Sequence, residues 1–406
     1  MHGDWNKLKE RQILEAANAS RSSEPFQGNA NSTYFESMYN ALLRPLLFSL
    51  SSDQAHELTI HAAAWSSRNR WSHSLLPLVG VKRRFRPFSG LSTTLWGVHF
   101  HHPIGLAAGF DKEGELVPLM QCLGFSHLDI GSMTAKPSNG NPLPRSFRLK
   151  RDASLINRMG LNNSGTSSVL SHLDAFKPSI PRSINIAKTH DPTILGDEAI
   201  QDYAQSLSEA LSWGKADLIT LNVSCPNTAE GKTFENPESL SALLSGLDAT
   251  IKESSIAPPP ILLKLSCDLE KTVLTEITEI AHKKAWIQGF VMSNTSTRRD
   301  GLVEPTDRVS VMGKGGLSGK AIAGWSTQSI EWLASSTSHP IIGVGGVFNA
   351  RDVLEKMQAG ASLVQMYTGL VYEGPGVVQR IVSDLTSLMQ QKGVETLSPQ
   401  TAGLLL

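Results

Sequence analysis

Scarcities narrow this chain before any motif does. It carries three cysteines, Cys122, Cys225 and Cys267, in 406 residues. They are scattered, odd in number and never arranged as CxxC, which excludes a disulfide framework, makes zinc or any other metal unexpected, and implies a reducing compartment. Charge imbalance is missing too. Lys+Arg and Asp+Glu both number 37, so no global field exists to gather nucleic acid, and none is expected as a partner. No apolar run reaches the roughly 18 residues that span a bilayer, and no early apolar core of a secretory signal is present. The first 32 residues set Lys7, Lys9, Arg11 and Arg21 against Asp4, Glu10, Glu15 and Glu24, unlike an Arg-rich, acid-poor transit peptide. Any membrane contact must therefore be local and apolar.

What is present suits one large α/β domain with an appendage. At 40% hydrophobic side chains the chain can bury the core of one barrel of about 250 to 300 residues plus additions. Residues 1–34 read as a mobile polar tail. Residues 35–50 offer apolar side chains around most of a short helix that Pro45 should kink or divide, and 53–68 read as a second helix with Asp53 as N-cap. The linker 75–87 carries Lys82, Arg83, Arg84 and Arg86, which either face phosphate head groups or are simply solvated. The helical segment and linker thus occupy 35–90, the barrel 91–395, and a C-terminal tail 396–406.

From residue 101 short β-like runs alternate with helical segments, the pattern of a parallel sheet covered by helices. Eight strands are expected at 104–109, 126–131, 183–188, 217–223, 260–265, 289–293, 340–345 and 362–367, with helices among them at 199–213, 274–284, 350–359 and 377–391. Eight repeats fit a closed (β/α)8 TIM-type barrel with a small N-terminal helical extension better than an open sheet. Chemistry in such a barrel belongs at the C-terminal strand ends. Polar or reactive residues stand there in turn: Asp111 and Lys112, Ser132 and Thr134, Lys188, then Asn222, Ser224, Cys225 and Asn227, then Lys264, then Asn294 and Thr295.

Three groups of residues carry the chemistry. Gly345 and Gly346 end strand seven, and Tyr367, Thr368 and Gly369 follow strand eight, where bare backbone amides suit a phosphate-bearing cofactor. The run LNVSCPNTAEGK over 221–232 gathers Asn222, Ser224, Cys225, Asn227 and Thr228 around Pro226, which fixes the turn. A thiol near pKa 8.5 can accept a proton once amide donors favour its thiolate, while the asparagines suit recognition of a polar ring. Lys112 and Lys264 sit at strand ends, where a cation can hold a carboxylate or stabilise an anionic ring; Asp111 or Glu113 could instead pair with Lys112.

On GLAAGFDKEGE, INRMGLNNSG, LNVSCPNT, GGLSGK, PIIGVGG and AGASLVQMYTG the chain resembles the dihydroorotate dehydrogenases, from about residue 35 to the last helix. The extension before residue 90 and the INRMG form are similar to the quinone-dependent class 2 enzymes. The resemblance implies one FMN per chain, held by Ala107, Ala108, Gly109, Phe110, Asp111, Ser132, Asn185, Asn222, Lys264, Ser293, Gly319, Gly346, Tyr367 and Thr368. It implies dihydroorotate contacts by Lys112, Asn157, Arg158, Met159, Gly160, Leu161, Asn222, Asn227, Asn294 and Thr295, with Cys225 as catalytic base. Class 2 members usually place serine at the base position and phenylalanine where Leu161 stands. The implied activity is oxidation of dihydroorotate to orotate in pyrimidine biosynthesis, by a monomer on a membrane surface that passes electrons to a quinone. The neutral tail points to the cytoplasmic face of a bacterial inner membrane, with the mitochondrial inner membrane as alternative. The rival readings are a class 1-like enzyme using fumarate or NAD, and a flavin-binding barrel without turnover.

Overall fold

Eight short strands, each buried on both faces, can satisfy their backbone groups and cover their apolar side chains only inside a ring of helices. The computed structural model describes residues 39–82, 85–224 and 233–406 and shows that ring. Its strands are β1 (Ile104–Leu106), β2 (His127–Met133), β3 (Arg182–Ile186), β4 (Leu218–Asn222), β5 (Ile261–Leu265), β6 (Ile287–Met292), β7 (Ile341–Val344) and β8 (Leu363–Met366). They close in the order β6-β7-β8-β1-β2-β3-β4-β5, all parallel, as the eight sequence runs predict.

Side chains alternate along each strand. Outward residues such as Leu128, Ile184, Leu221 and Leu263 join the main core under the helices. Inward residues divide into two layers. At the bottom Phe100, Leu218, Leu262, Val291, Ile342 and Leu363 form their own apolar cluster. The hairpin of strands Thr93–Leu95 and Val98–Phe100 closes this end, where the Trp96 indole donates to the Gln288 carbonyl at 2.8 Å. Higher up the interior is polar, with His127 and Asp129 on β2, Asn185 on β3 and Gln365 on β8, all buried. Gly105 on β1 lies between Gln365 and His127 in the strand register, and a Cβ there would strike the His127 ring.

The helices Gly196–Trp213, Lys271–His282, Ala350–Gln358 and Val377–Lys392 overlap the four predicted spans. A three-stranded antiparallel sheet was not foreseen. Ser154–Asn157 is its central strand, paired on one side with Ser146–Leu149, both inserted after β2, and on the other with Gly316–Gly319, inserted after β6. Before the barrel, a π-helical turn Tyr39–Leu43 precedes the helix Arg44–Ser49, whose first turn holds Pro45, so the proline divides the segment. The second helix runs Ser52–Arg68. Its cap is Ser51, in a reciprocal box with Gln54, and not Asp53. The Asp53 carboxylate instead accepts from the Arg145 backbone N–H at 3.0 Å, which ties this helix to the antiparallel sheet. Residues 396–406 bury Leu397, Ala402 and Leu405 and include the short helix Pro399–Ala402.

Candidate active site

The C-terminal ends of the barrel strands and one wall of antiparallel sheet enclose a single cavity. Ala107, Ala108, Gly109 and Lys112 enter from β1, Ser132 from β2, Asn222 from β4 and Lys264 from β5. Ser293, Asn294 and Thr295 enter from β6, Gly346 from β7, and Tyr367 with Thr368 from β8. The sheet wall adds Asn157, Met159, Gly160, Leu161 and Gly319. Elements separated by over 200 residues in sequence therefore meet where the strand-end rule puts chemistry.

One side of the cavity is bare backbone. Gly319, Gly345 and Gly346 have φ of +98°, +116° and +73°, a region that side chains disfavour. A Cβ on Gly346 would lie 2.6 Å from the Ala323 Cα, so the loop after β7 approaches the helix Ala323–Ala334 too closely for any other residue. Thr368 is held there by its hydroxyl, 2.9 Å from that of Ser318.

The other side is built from amides on a charged floor. Lys264 Nζ stands 3.6 Å from Asp129 Oδ2, with both side chains buried. Burial pushes the Asp129 carboxyl up, and the Lys264 ammonium opposes this. Asn185 Nδ2 donates to Asp129 Oδ2 at 3.0 Å, and Asn185 Oδ1 accepts from the Ser132 hydroxyl at 2.5 Å. Ser132 Oγ accepts from Asn222 Nδ2 at 2.8 Å, and Asn222 Oδ1 accepts from Asn294 Nδ2 at 3.1 Å. Asn294 Oδ1 then accepts from the Thr295 N–H at 2.8 Å. Ser224 joins this set through its hydroxyl, to which Asn294 Nδ2 donates at 3.0 Å.

Lys112 pairs with neither acid beside it: its Nζ donates to Asn162 Oδ1 at 2.7 Å. The Asp111 carboxylate accepts from the N–H groups of Glu115 and Leu116, and Glu113 accepts from Ser164. Burial, then repulsion by Arg145, lowers Lys112 to about 7, against the attraction of Glu113. Burial raises Asp111 to about 7 and Tyr367 to about 12.

Four expected contacts stand behind the cavity surface. Phe110 packs edge-on against Tyr367 at 5.3 Å, Asp111 caps the following turn, and Asn185 holds Ser132. Arg158 donates to the carbonyls of Met312, Lys314 and Pro144 and covers the Phe147 ring. Cys225 and Asn227 lie outside the described residues, directly after buried Ser224. Several contributors have no signal in the sequence, Asp129 and His56 above all. Asp129 hides inside a strand, and His56 reaches the cavity from the second N-terminal helix, lowered to about 4 by burial and then by Lys112 and Arg145.

A closed parallel barrel whose strand-end cavity gathers bare glycine backbone, lysines and a chain of amides has the form of an enzyme site for a cofactor beside a polar substrate. The profile of the family described as Dihydroorotate dehydrogenase matches residues 90–389, and the chain belongs to that flavin-dependent family. It is 37% identical over 365 residues to the dihydroorotate dehydrogenase (quinone) of Deinococcus deserti, covering 88% of this chain and 97% of that one. The enzyme of the same name from Myxococcus xanthus is 36% identical over 357 residues, 87% of this chain and 94% of its own. Among solved structures, DHODH from Eimeria tenella in complex with ferulenol superposes with a TM-score of 0.74 at 26% identity, covering 88% of this chain and 97% of that one.

Proposed function

We propose that this chain oxidises (S)-dihydroorotate to orotate in de novo pyrimidine biosynthesis, with FMN as its hydride acceptor and a membrane quinone as final oxidant. The observation that carries the reading is the oriented set Ser132, Asn222 and Asn294 between Lys112 and Lys264, opposite the glycine cradle. That cradle fits a phosphate, because Gly319, Gly345 and Gly346 line the cavity in positive-φ conformations and put no side chain into it. Lys264, Ser293, Tyr367 and Thr368 would hold the rest of an FMN with Ala107 to Gly109 and Gly319. When bound, the flavin supplies the two-electron redox chemistry that side chains lack.

The protein's own residues divide the remaining work. Lys112 offers a cation to the substrate carboxylate, and Asn157, Asn222, Asn294 and Thr295 offer donors and acceptors to the amide edges of its ring. Asn227 adds to that set, and Cys225 takes the proton from C5, a task for which a thiol is far better suited than an alcohol. Fixing base and ring in one geometry supplies most of the orientation required.

The acceptor reading rests on the N-terminal segment. Leu42, Leu46, Leu58, Trp65, Trp71, Leu75 and Leu78 are each 50% exposed or more, an apolar face suited to a bilayer surface. Among the described residues no helix is long and apolar enough to cross a membrane, so the contact proposed is peripheral, made by a monomer. His56, on that same segment, borders the cavity and gives a quinone a polar neighbour near the site.

The test is stopped-flow oxidation of the anaerobically reduced protein. Fast reaction with a short-chain quinone and slow reaction with fumarate or NAD are expected; the reverse order would move the chain to the class 1-like reading. Cys225→Ala should stay yellow yet be bleached by dihydroorotate at least about 100-fold more slowly, as for loss of a general base. Full-speed bleaching would remove Cys225 from that role.

A further inference from the structure

An asparagine amide is nearly symmetric in shape and wholly asymmetric in hydrogen bonding: turned over, it offers a donor where an acceptor was. Asn222 and Asn294 both line the cavity, so a site that reads a polar ring needs something to fix which way they face. Packing alone cannot do so. A group that can only accept can.

Asp129 is such a group. It does not line the cavity, is fully buried, and points Oδ2 at both Asn185 Nδ2 (3.0 Å) and Lys264 Nζ (3.6 Å). Lys264 can only donate, so it favours the carboxylate form. From there each link leaves one choice for the next. Asn185 must give its N–H group to the carboxylate, which leaves its oxygen for the Ser132 hydroxyl (2.5 Å). Ser132 has then spent its only hydrogen and must accept, which turns Asn222 Nδ2 towards it (2.8 Å). Asn222 consequently presents oxygen to Asn294 Nδ2 (3.1 Å), and Asn294 presents oxygen to the Thr295 N–H (2.8 Å). One amide hydrogen of Asn222 is left for a ring oxygen in the cavity.

We infer that Asp129 is a positioning residue: its buried carboxylate, set against Lys264, fixes the donor and acceptor sense of the chain Asn185, Ser132, Asn222 and Asn294, and through it the recognition of the substrate ring. The carboxylate touches neither substrate nor cofactor, and it acts through three residues that do. This rests on the proposed dihydroorotate reading of the site.

Asp129→Asn keeps the shape and removes the acceptor-only character. Orotate binding, read by calorimetry and by the flavin absorbance change, should weaken about tenfold, the effect of about one misdirected hydrogen bond. The dihydroorotate KM should rise in parallel, with bound FMN retained. The decisive variant is the exchange Asp129→Asn with Asn185→Asp. It moves the carboxylate one link along, where it can accept from the new amide below and from the Ser132 hydroxyl above, so everything beyond Ser132 regains its sense. Orotate affinity should return to within about threefold of the parent, converting to under 0.7 kcal/mol. A merely structural Asp129 makes the exchange worse than the single change, and that result, or unchanged affinity in Asp129→Asn, overturns the inference. Should Asp129→Asn not fold, Asn185→Leu cuts the chain while leaving the ion pair, and unaltered orotate binding there overturns it equally. Because calorimetry needs no flavin signal, a parent protein that binds orotate without FMN fails the cofactor reading alone, and one that binds no orotate fails the substrate reading.

Discussion

Lys264 and Asp129 face each other across the barrel interior from β5 and β2, 3.6 Å apart and almost out of solvent's reach. Such a pair is weak evidence of stability, because removing two ions from water costs about as much as their attraction returns. Losing one partner is another matter, since the survivor is a buried charge that has lost its counter-ion. Lys264→Met should therefore destabilise the fold by about 3 kcal/mol or more in denaturant unfolding, in protein stripped of cofactor as much as in loaded protein. A loss below about 1 kcal/mol would mean that Asp129 is protonated and has no need of its partner.

Lys112 gives a pH signature. Burial first, then repulsion by Arg145, leaves it near 7 despite the attraction of Glu113, so it sheds its proton just above neutrality. A cation is what a substrate carboxylate needs. Orotate affinity should fall as pH climbs above about 7, approaching tenfold per unit, and Lys112→Met should flatten that dependence while binding weakly throughout. Calorimetric titration across this range checks both.

His127 predicts a stability slope. Burial lowers it from 6.5 to about 3, and it remains neutral in the folded chain while the unfolded chain takes a proton. Since the unfolded state binds more protons below 6.5, the contribution is complete above that value and fades as pH falls towards 3. The parent should lose about 1.4 kcal/mol per pH unit more than His127→Gln over this window. Parallel urea curves at pH 6 and pH 5 measure the difference, and equal slopes would contradict the buried neutral ring.

The N-terminal face offers a physical test of the membrane reading. Trp65 and Trp71 meet edge to face at 5.3 Å, yet are 50% and 63% exposed. Replacing both by serine removes apolar surface suited to the head-group boundary. Co-sedimentation with lipid vesicles should drop at least about tenfold, while turnover with a water-soluble acceptor stays near that of the parent. Undiminished sedimentation would place the membrane contact elsewhere.

Most of the barrel was legible because parallel strands, buried on both sides, read as short unbroken apolar runs such as 260–263 and 340–345. Strand ends were legible for the same reason: once a run stops, the next polar residue faces the mouth, as Ser132, Asn222 and Lys264 do. What stayed hidden was not periodic. The strands Ser146–Leu149, Ser154–Asn157 and Gly316–Gly319 are four residues each, and the last two pair across a gap of some 160 positions, beyond the reach of any local pattern. Asp129 is one acid within a predicted strand and His56 one polar residue on a predicted helix, and neither placement marks a site. Asn185, Phe110, Asp111 and Arg158 have the right residue types, but type does not separate a side chain that lines a cavity from one that braces its lining. The cap expected at Asp53 falls instead on Ser51, two residues earlier, because Ser51 completes a reciprocal box with Gln54.

The wall formed by Gly316–Gly319 against Ser154–Asn157 has a consequence for biosynthesis. During translation the amino-terminal half of the pocket emerges and waits, its partner strand still inside the ribosome, so no nascent chain ending before Gly316 can clasp a ligand. Cofactor capture is then a late event that reports completion of nearly the whole polypeptide, and a truncated product would be left both empty and open to proteolysis.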